Sequence, residues 1–125
     1  MARIFVIDDD EQLLRMVGLM LERGGHNITL INNPLDGLEQ IKADKPDLLV
    51  LDVMMPNMDG LTVCEKLRAQ AETAVLPIIL LSARTSPESV KDGMEAGATR
   101  YLGKPISREE LIQTLRDVLE NIPSA

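Results

Sequence analysis

Asp52 closes the apolar run 48–51 within the stretch DLLVLDVMMPNMDG. An ionised carboxylate at the margin of an apolar core is costly unless an ion pair, hydrogen bonds or a metal meets it. Asp8 and Asp9 close a second apolar run, 4–7, Ser82 closes a third, 78–81, and Lys104 follows the short pair Tyr101-Leu102. If these ends lie together, the acids repel one another and raise at least one pKa unless a cation joins them. Hard oxygen ligands with room for water suit Mg²⁺. Lys104 adds a fixed positive charge and Ser82 a hydroxyl donor, which are what an incoming anion needs. These residue types describe a phosphoryl site. Asp52 is the candidate nucleophile, forming an aspartyl phosphate while Mg²⁺ and Lys104 spread the charge on the transferring group. Met54 and Arg84 stand two residues beyond Asp52 and Ser82 and are long enough to obstruct water, so they are expected to tune the lifetime of such a phosphate.

These side chains meet only if the runs that carry them are neighbouring strands. Residues 4–7, 48–51 and 78–81 are short and wholly apolar, which predicts strands buried on both faces, while 28–31 is a short second strand and Tyr101-Leu102 a brief fifth. Helical patterns lie between them. Leu13, Val17, Met20 and Leu21 form a core-facing stripe that runs to about Arg23 and is ended by Gly24-Gly25. Asn33-Pro34 opens a second helix, with Leu38 and Ile41 inward, and Pro46 forbids its continuation. Pro56 and Asp59-Gly60 mark a loop. Leu61, Cys64, Leu67 and Ala71, flanked by Val63, then predict a third helix with Arg68 at its polar edge. Ser86-Pro87 opens a fourth, closed by Gly97, whose apolar face of Val90 and Met94 is the thinnest in the chain. Ser107 and Glu110 form an S-x-x-E capping box, and Ile106 is placed to staple onto Leu111. Leu111, Leu115, Val118, Leu119 and Ile122 make the stripe of the last helix.

Five strand-then-helix units without a hairpin signal imply one α/β domain over residues 1–125: a doubly wound five-stranded parallel sheet with helices on both faces. By analogy with flavodoxin-like sheets, the order 2-1-3-4-5 makes the third strand central. It also gathers Asp8, Asp9, Asp52, Ser82 and Lys104 at the carboxyl ends, where ligands of such sheets collect.

Composition narrows the partners. A net charge of −7 excludes a basic footprint for DNA or RNA and leaves proteins or cations. A lone Cys64 makes no internal disulfide and reads as a small buried hydrophobe, and His26 reads as a surface residue after a helix end. The chain opens without a signal-peptide pattern, and no apolar run approaches the roughly 20 residues of a spanning helix. The expectation is therefore a cytoplasmic protein with no membrane contact.

The acidic pair in VIDDD, the segment LDVMMPNMDG, LLSA and YLGKPIS together resemble a response-regulator receiver domain of two-component signalling, similar to chemotaxis receivers, over essentially the whole chain. The resemblance implies metal binding by Asp8, Asp9, Asp52 and the Met54 backbone carbonyl, with Mg²⁺ as the ion and Mn²⁺ able to substitute. It implies phosphorylation at Asp52, a switch hydroxyl at Ser82, a switch aromatic at Tyr101, phosphoryl binding by Lys104 and a cis Lys104-Pro105 bond. The donor would be a histidine kinase or phosphotransfer protein, and the output a downstream effector or fused domain. That output would be controlled through the surface of helix four, strand five and helix five, also a candidate for phosphorylation-dependent homodimerisation. Such a protein is a signalling phosphoacceptor and not a turnover enzyme.

Taken singly, the acidic triplet reads more readily as a helix cap and solvated turn, Ser82 as a turn residue, Lys104 as a solvated charge and Tyr101 as core or rim. The conjunction, in order and at strand ends, carries the reading. A phosphohydrolase using an aspartyl phosphate would need a second acid where Met54 stands, and a thioether moves no protons. A flavin or nucleotide binder would want a Gly-rich phosphate loop and aromatic stacking, yet Phe5 and Tyr101 are the only aromatics. The alternative that remains is a phosphorylation-independent interaction module on the same fold, whose expected sign is a missing acid, hydroxyl or lysine. Arg100, where an acid often precedes the aromatic in winged-helix relatives, weakens any carry-over of their dimer salt bridges. Ile106, where Phe is frequent, leaves the packing of the last helix open.

Overall fold

The computed structural model describes residues 2–121. The elements are β1 (Arg3–Ile7), α1 (Glu11–Arg23), β2 (Asn27–Ile31), α2 (Pro34–Ala43), β3 (Leu48–Asp52) and α3 (Gly60–Arg68). They continue with a 3₁₀ turn (Ala71–Thr73), β4 (Ile78–Ser82), α4 (Pro87–Glu95), β5 (Arg100–Gly103) and α5 (Arg108–Glu120). All strands run parallel in the order β2-β1-β3-β4-β5.

The apolar runs become strands because each has two faces to cover. Along β3, Leu49 and Leu51 join a core with Ile41 of α2 and Val63, Cys64 and Leu67 of α3. Leu48 and Val50 join the opposite core, with Leu14, Val17 and Leu21 of α1 and Leu111, Leu115 and Val118 of α5. Each fully buried side chain of this kind contributes about 1.5–3 kcal/mol. Asp52 lies beside the Ile7-Asp8 end of β1 on one side and the Leu81-Ser82 end of β4 on the other, because β3 pairs with both strands, Leu51 opposite Ile7 and Asp52 opposite Leu81.

Helix starts follow local chemistry. Asp10, Asn33, Asp59, Ser86 and Ser107 each cap a helix by accepting backbone N–H bonds.

Several sequence expectations need correction. On α1 Val17 and Leu21 are buried as expected, but the first buried residue is Leu14 and not Leu13, and Leu13 and Met20 are only partly covered. Ala71 does not extend α3: the helix stops at Arg68, and Ala71 is exposed in the 3₁₀ turn. Met94 points outward, and α4 buries only Gly93. The capping box is half formed, since Ser107 Oγ accepts from Glu110 N but donates to the Glu109 carboxylate. His26 is half-buried, its Nδ1 accepting from Ala2 N at 3.2 Å, and burial lowers its pKa. Ile122, expected on the α5 stripe, lies outside the described residues. Among the described residues no helix is long and apolar enough to cross a membrane.

Candidate functional site

Parallel pairing brings the carboxyl ends of β1, β3, β4 and β5 to one edge, and the polar residues that follow them meet there. Carboxylate oxygens of Asp8, Asp9 and Asp52 all lie within 4.8 Å of one another. Asp8 and Asp52 are buried and Asp9 is exposed, so two acids form the floor and one the rim. From the other side Lys104 Nζ donates to Asp52 Oδ1 at 2.6 Å and sits 3.6 Å from Asp8 Oδ2. Its backbone N–H is held by Ser82 O at 2.8 Å, which fixes the start of the β5–α5 connection against β4. The Lys104-Pro105 bond is cis.

The electrostatics follow from burial. Burial pushes Asp8 up to about 6; the Asp10 N–H bond to its Oδ1 at 2.9 Å opposes this, and the Asp52 charge adds to it. Burial also raises Asp52, against the Lys104 hydrogen bond and charge and the Met54 amide. One lysine against three carboxylates leaves a net negative pocket of oxygen donors. That donor set fits a hard divalent cation that keeps several waters, such as Mg²⁺, and would suit neither a soft metal nor a closed tetrahedral one.

Ser82 is fully buried at the end of β4, and its Oγ accepts from Arg84 N at 3.0 Å. Among the described residues no hydrogen bond joins Ser82 Oγ to Asp52 or Lys104. Tyr101 is half-buried, its ring against Gly93 and its hydroxyl donating to Arg84 O at 2.6 Å. The backbone of Arg84 thus links the hydroxyl at the site to the aromatic on β5. Sequence reasoning had weighed only the Arg84 side chain, because a main-chain relay leaves no mark in residue type. The Met54 side chain is 50% exposed and the Arg84 side chain is also exposed, so both stand at the rim.

Arg68, expected at a polar edge, is instead half-buried and donates to two backbone carbonyls, Gly97 O and Thr73 O. Its partners are distant in sequence, so no local pattern announces them.

Known proteins resemble this chain in sequence and fold. Response regulator MprA of Mycobacterium ulcerans, strain Agy99, is 43% identical over 118 residues, covering 94% of this chain and 50% of that protein. The chain therefore spans about half the length of the curated relatives it matches. Among solved structures, Vibrio cholerae chemotaxis protein CheY4 superposes with a TM-score of 0.88 at 31% identity, over 94% of this chain and 98% of that one. The receiver domain of sensor histidine kinase PA1611 from Pseudomonas aeruginosa PAO1 does so with a TM-score of 0.89 at 25% identity, over 96% and 98%. That domain holds a magnesium ion in its active-site cleft. Residues 4–116, which span every strand and carry all the acids and the lysine described above, match the response regulator receiver domain, and the chain belongs to that family of two-component signalling proteins.

Proposed function

We propose that Asp52 is the phosphoryl acceptor of this receiver domain and that the acceptor state is read on the surface of α4, β5 and α5. The observation that carries the reading is the close set of Asp8, Asp9 and Asp52 with Lys104 Nζ 2.6 Å from Asp52 Oδ1. A phosphorylation-independent module would have no reason to keep such a cluster, because burying its acids costs free energy that apolar residues would not.

An Asp52 oxygen attacks the phosphorus of a phosphohistidine on a histidine kinase or phosphotransfer protein. The P–N bond breaks, its electron pair returns to the imidazole, and an aspartyl phosphate results. Asp8, Asp9, Asp52 and the Met54 carbonyl would hold Mg²⁺, which supplies charge neutralisation for the phosphoryl oxygens. Lys104 transfers its hydrogen bond from Asp52 to those oxygens. With Asp8 and Asp9 committed to the metal, Asp52 has no dedicated base of its own, so hydrolysis depends on access for water past Met54 and Arg84. The protein phosphorylates and dephosphorylates itself and does not turn over a substrate.

A phosphoryl group brings strong acceptor oxygens to which the Ser82 hydroxyl can swing and donate. That motion gives up the bond from Arg84 N and, through the Arg84 peptide, disturbs the bond from Tyr101 to Arg84 O. A shift from 1:99 to 99:1 needs about 5.5 kcal/mol, more than one neutral hydrogen bond supplies, so Lys104 and the metal must share the work. The partner, an effector or an output domain of a longer chain, reads the result.

Incubation with a small acyl phosphate and Mg²⁺ tests the assignment. The protein takes up label, Asp52→Asn takes up none, and Ser82→Ala is labelled but shows a blunted response across α4 and β5. Stable labelling of Asp52→Asn under native conditions would place the nucleophile elsewhere.

A further inference from the structure

The two ends of α4 are held very differently. Its first turn lies beside the site, where residues 83–88 are all exposed and the N-terminus is held by the Ser86 cap. The body of the helix buries only Gly93, which sits against the Tyr101 ring so closely that a Cβ there would approach Cδ2 to 2.5 Å. The far end is bolted. Gly97 N–H donates to Met94 O at 3.1 Å and Ala98 N–H to Gly93 O at 3.2 Å, and Gly97 has φ +111, the pattern of a Schellman cap.

Arg68 of α3 closes over that cap. Its Nε donates to Gly97 O at 2.9 Å and its Nη1 to Thr73 O at 3.1 Å, while its stem packs where a Gly97 Cβ would lie, 2.6 Å from Cγ. Thr99 completes the anchor, its N–H donating to Ile78 O at 2.8 Å and its Oγ1 accepting from Ile78 N at 3.0 Å. A charged donor on a half-buried carbonyl is among the stronger hydrogen bonds available, and here it ties the cap of α4 to α3 and to the 3₁₀ turn, which Thr73 Oγ1 already holds to Leu67 O.

We propose that Arg68 is a positioning residue of the switch: it pins the far end of α4 to α3 and the 3₁₀ turn, so that Gly97 is the pivot about which the helix swings. The direction of signalling then follows from the anchors. Loosening at Arg84 and Tyr101 moves the end of α4 near the site through the larger arc, while residues 96–99 stay in place. This inference rests on the proposed phosphoryl site for the swing, but the latch itself does not depend on it.

Amide hydrogen exchange on the whole protein tests both parts, using beryllofluoride with Mg²⁺ as the phosphoryl analogue. In the parent, the analogue changes exchange over residues 83–92 and leaves Gly97, Ala98 and Thr99 unchanged. In Arg68→Met, those three amides exchange about tenfold or more faster even without the analogue, and the change on adding it spreads through them. Met and Lys both keep side-chain atoms over Gly97, but only Lys keeps a donor, so partial recovery of the protection in Arg68→Lys over Arg68→Met reports the hydrogen bond and not the packing; Arg68→Lys also serves if Arg68→Met fails to fold. Unaltered protection of Gly97 and Ala98 in both variants overturns the latch, and a parent in which the analogue moves residues 96–99 as much as 83–92 overturns the pivot. An analogue that perturbs nothing around Asp52 overturns the phosphoryl reading instead, and the comparison without analogue still decides the role of Arg68.

Discussion

Replacing Asp8 by Asn should make this protein more stable at neutral pH, although it damages the site. Burial first, then the charge of Asp52, lifts Asp8 from 3.8 to about 6 against the bond from Asp10 N. A folded-state pKa above the unfolded one means that the native protein binds more protons between the two values. Stability is therefore full below about pH 3.8 and is lost as pH rises through about 6. The lift from 3.8 to about 6, at about 1.36 kcal/mol for each tenfold change in proton affinity, withholds roughly 3 kcal/mol above that range. Asn keeps an oxygen for the 2.9 Å bond from Asp10 N and leaves Lys104 on Asp52, but gives up the 3.6 Å ion pair with Lys104. A net gain of about 1–3 kcal/mol follows, which moves a urea midpoint upward by roughly 1 M. Urea unfolding at about pH 7.5 and about pH 4 separates the cause, because the parent's Asp8 is largely protonated at the lower pH and the two proteins should converge there. Asp8→Asn no more stable than the parent near neutrality, or a gap undiminished in acid, would refute the argument from burial.

Mg²⁺ at a hundred times its dissociation constant should stabilise the parent by about 2.7 kcal/mol, read as a rise in melting temperature, and Asp9→Ala should lose that gain; an undiminished response in Asp9→Ala would make the triplet a helix cap alone. Small residues at Met54 and Arg84 together should change the dephosphorylation rate while leaving the circular dichroism spectrum as it is, and unchanged lifetimes in the double variant would end their gating role.

Much of the fold was legible because most strands are apolar runs closed by a polar residue, and because Asn33-Pro34 and Ser86-Pro87 mark helix starts by local chemistry; Asp59, read only as part of a loop, is the cap of α3. The strand order came by analogy, and the observed sheet has it. The acids and Lys104 were visible for the same reason that they meet: each stands at or just past the end of a strand, and parallel strands end at one edge. What escaped was non-local or belonged to the backbone. Arg68 resembles any surface arginine until Gly97, distant in sequence, is folded beside it. The inner contact of α4 is a glycine, which a search for apolar side chains passes over. Leu13 and Leu14 differ only by the rotation of α1 about its axis, which is set by packing against β1, β2 and α5 rather than by composition.

The chain contains one tyrosine, one phenylalanine and no tryptophan. Its near-ultraviolet absorbance and emission therefore belong almost wholly to Tyr101, whose hydroxyl is tied to Arg84 O and whose ring lies on Gly93. Breaking that hydrogen bond changes the polarity felt by the phenol, and turning the ring changes its asymmetric surroundings. The native molecule thus carries its own optical gauge at the joint between the site and α4. Rapid mixing of unlabelled protein with a phosphodonor would record, in real time, the movement of a single side chain.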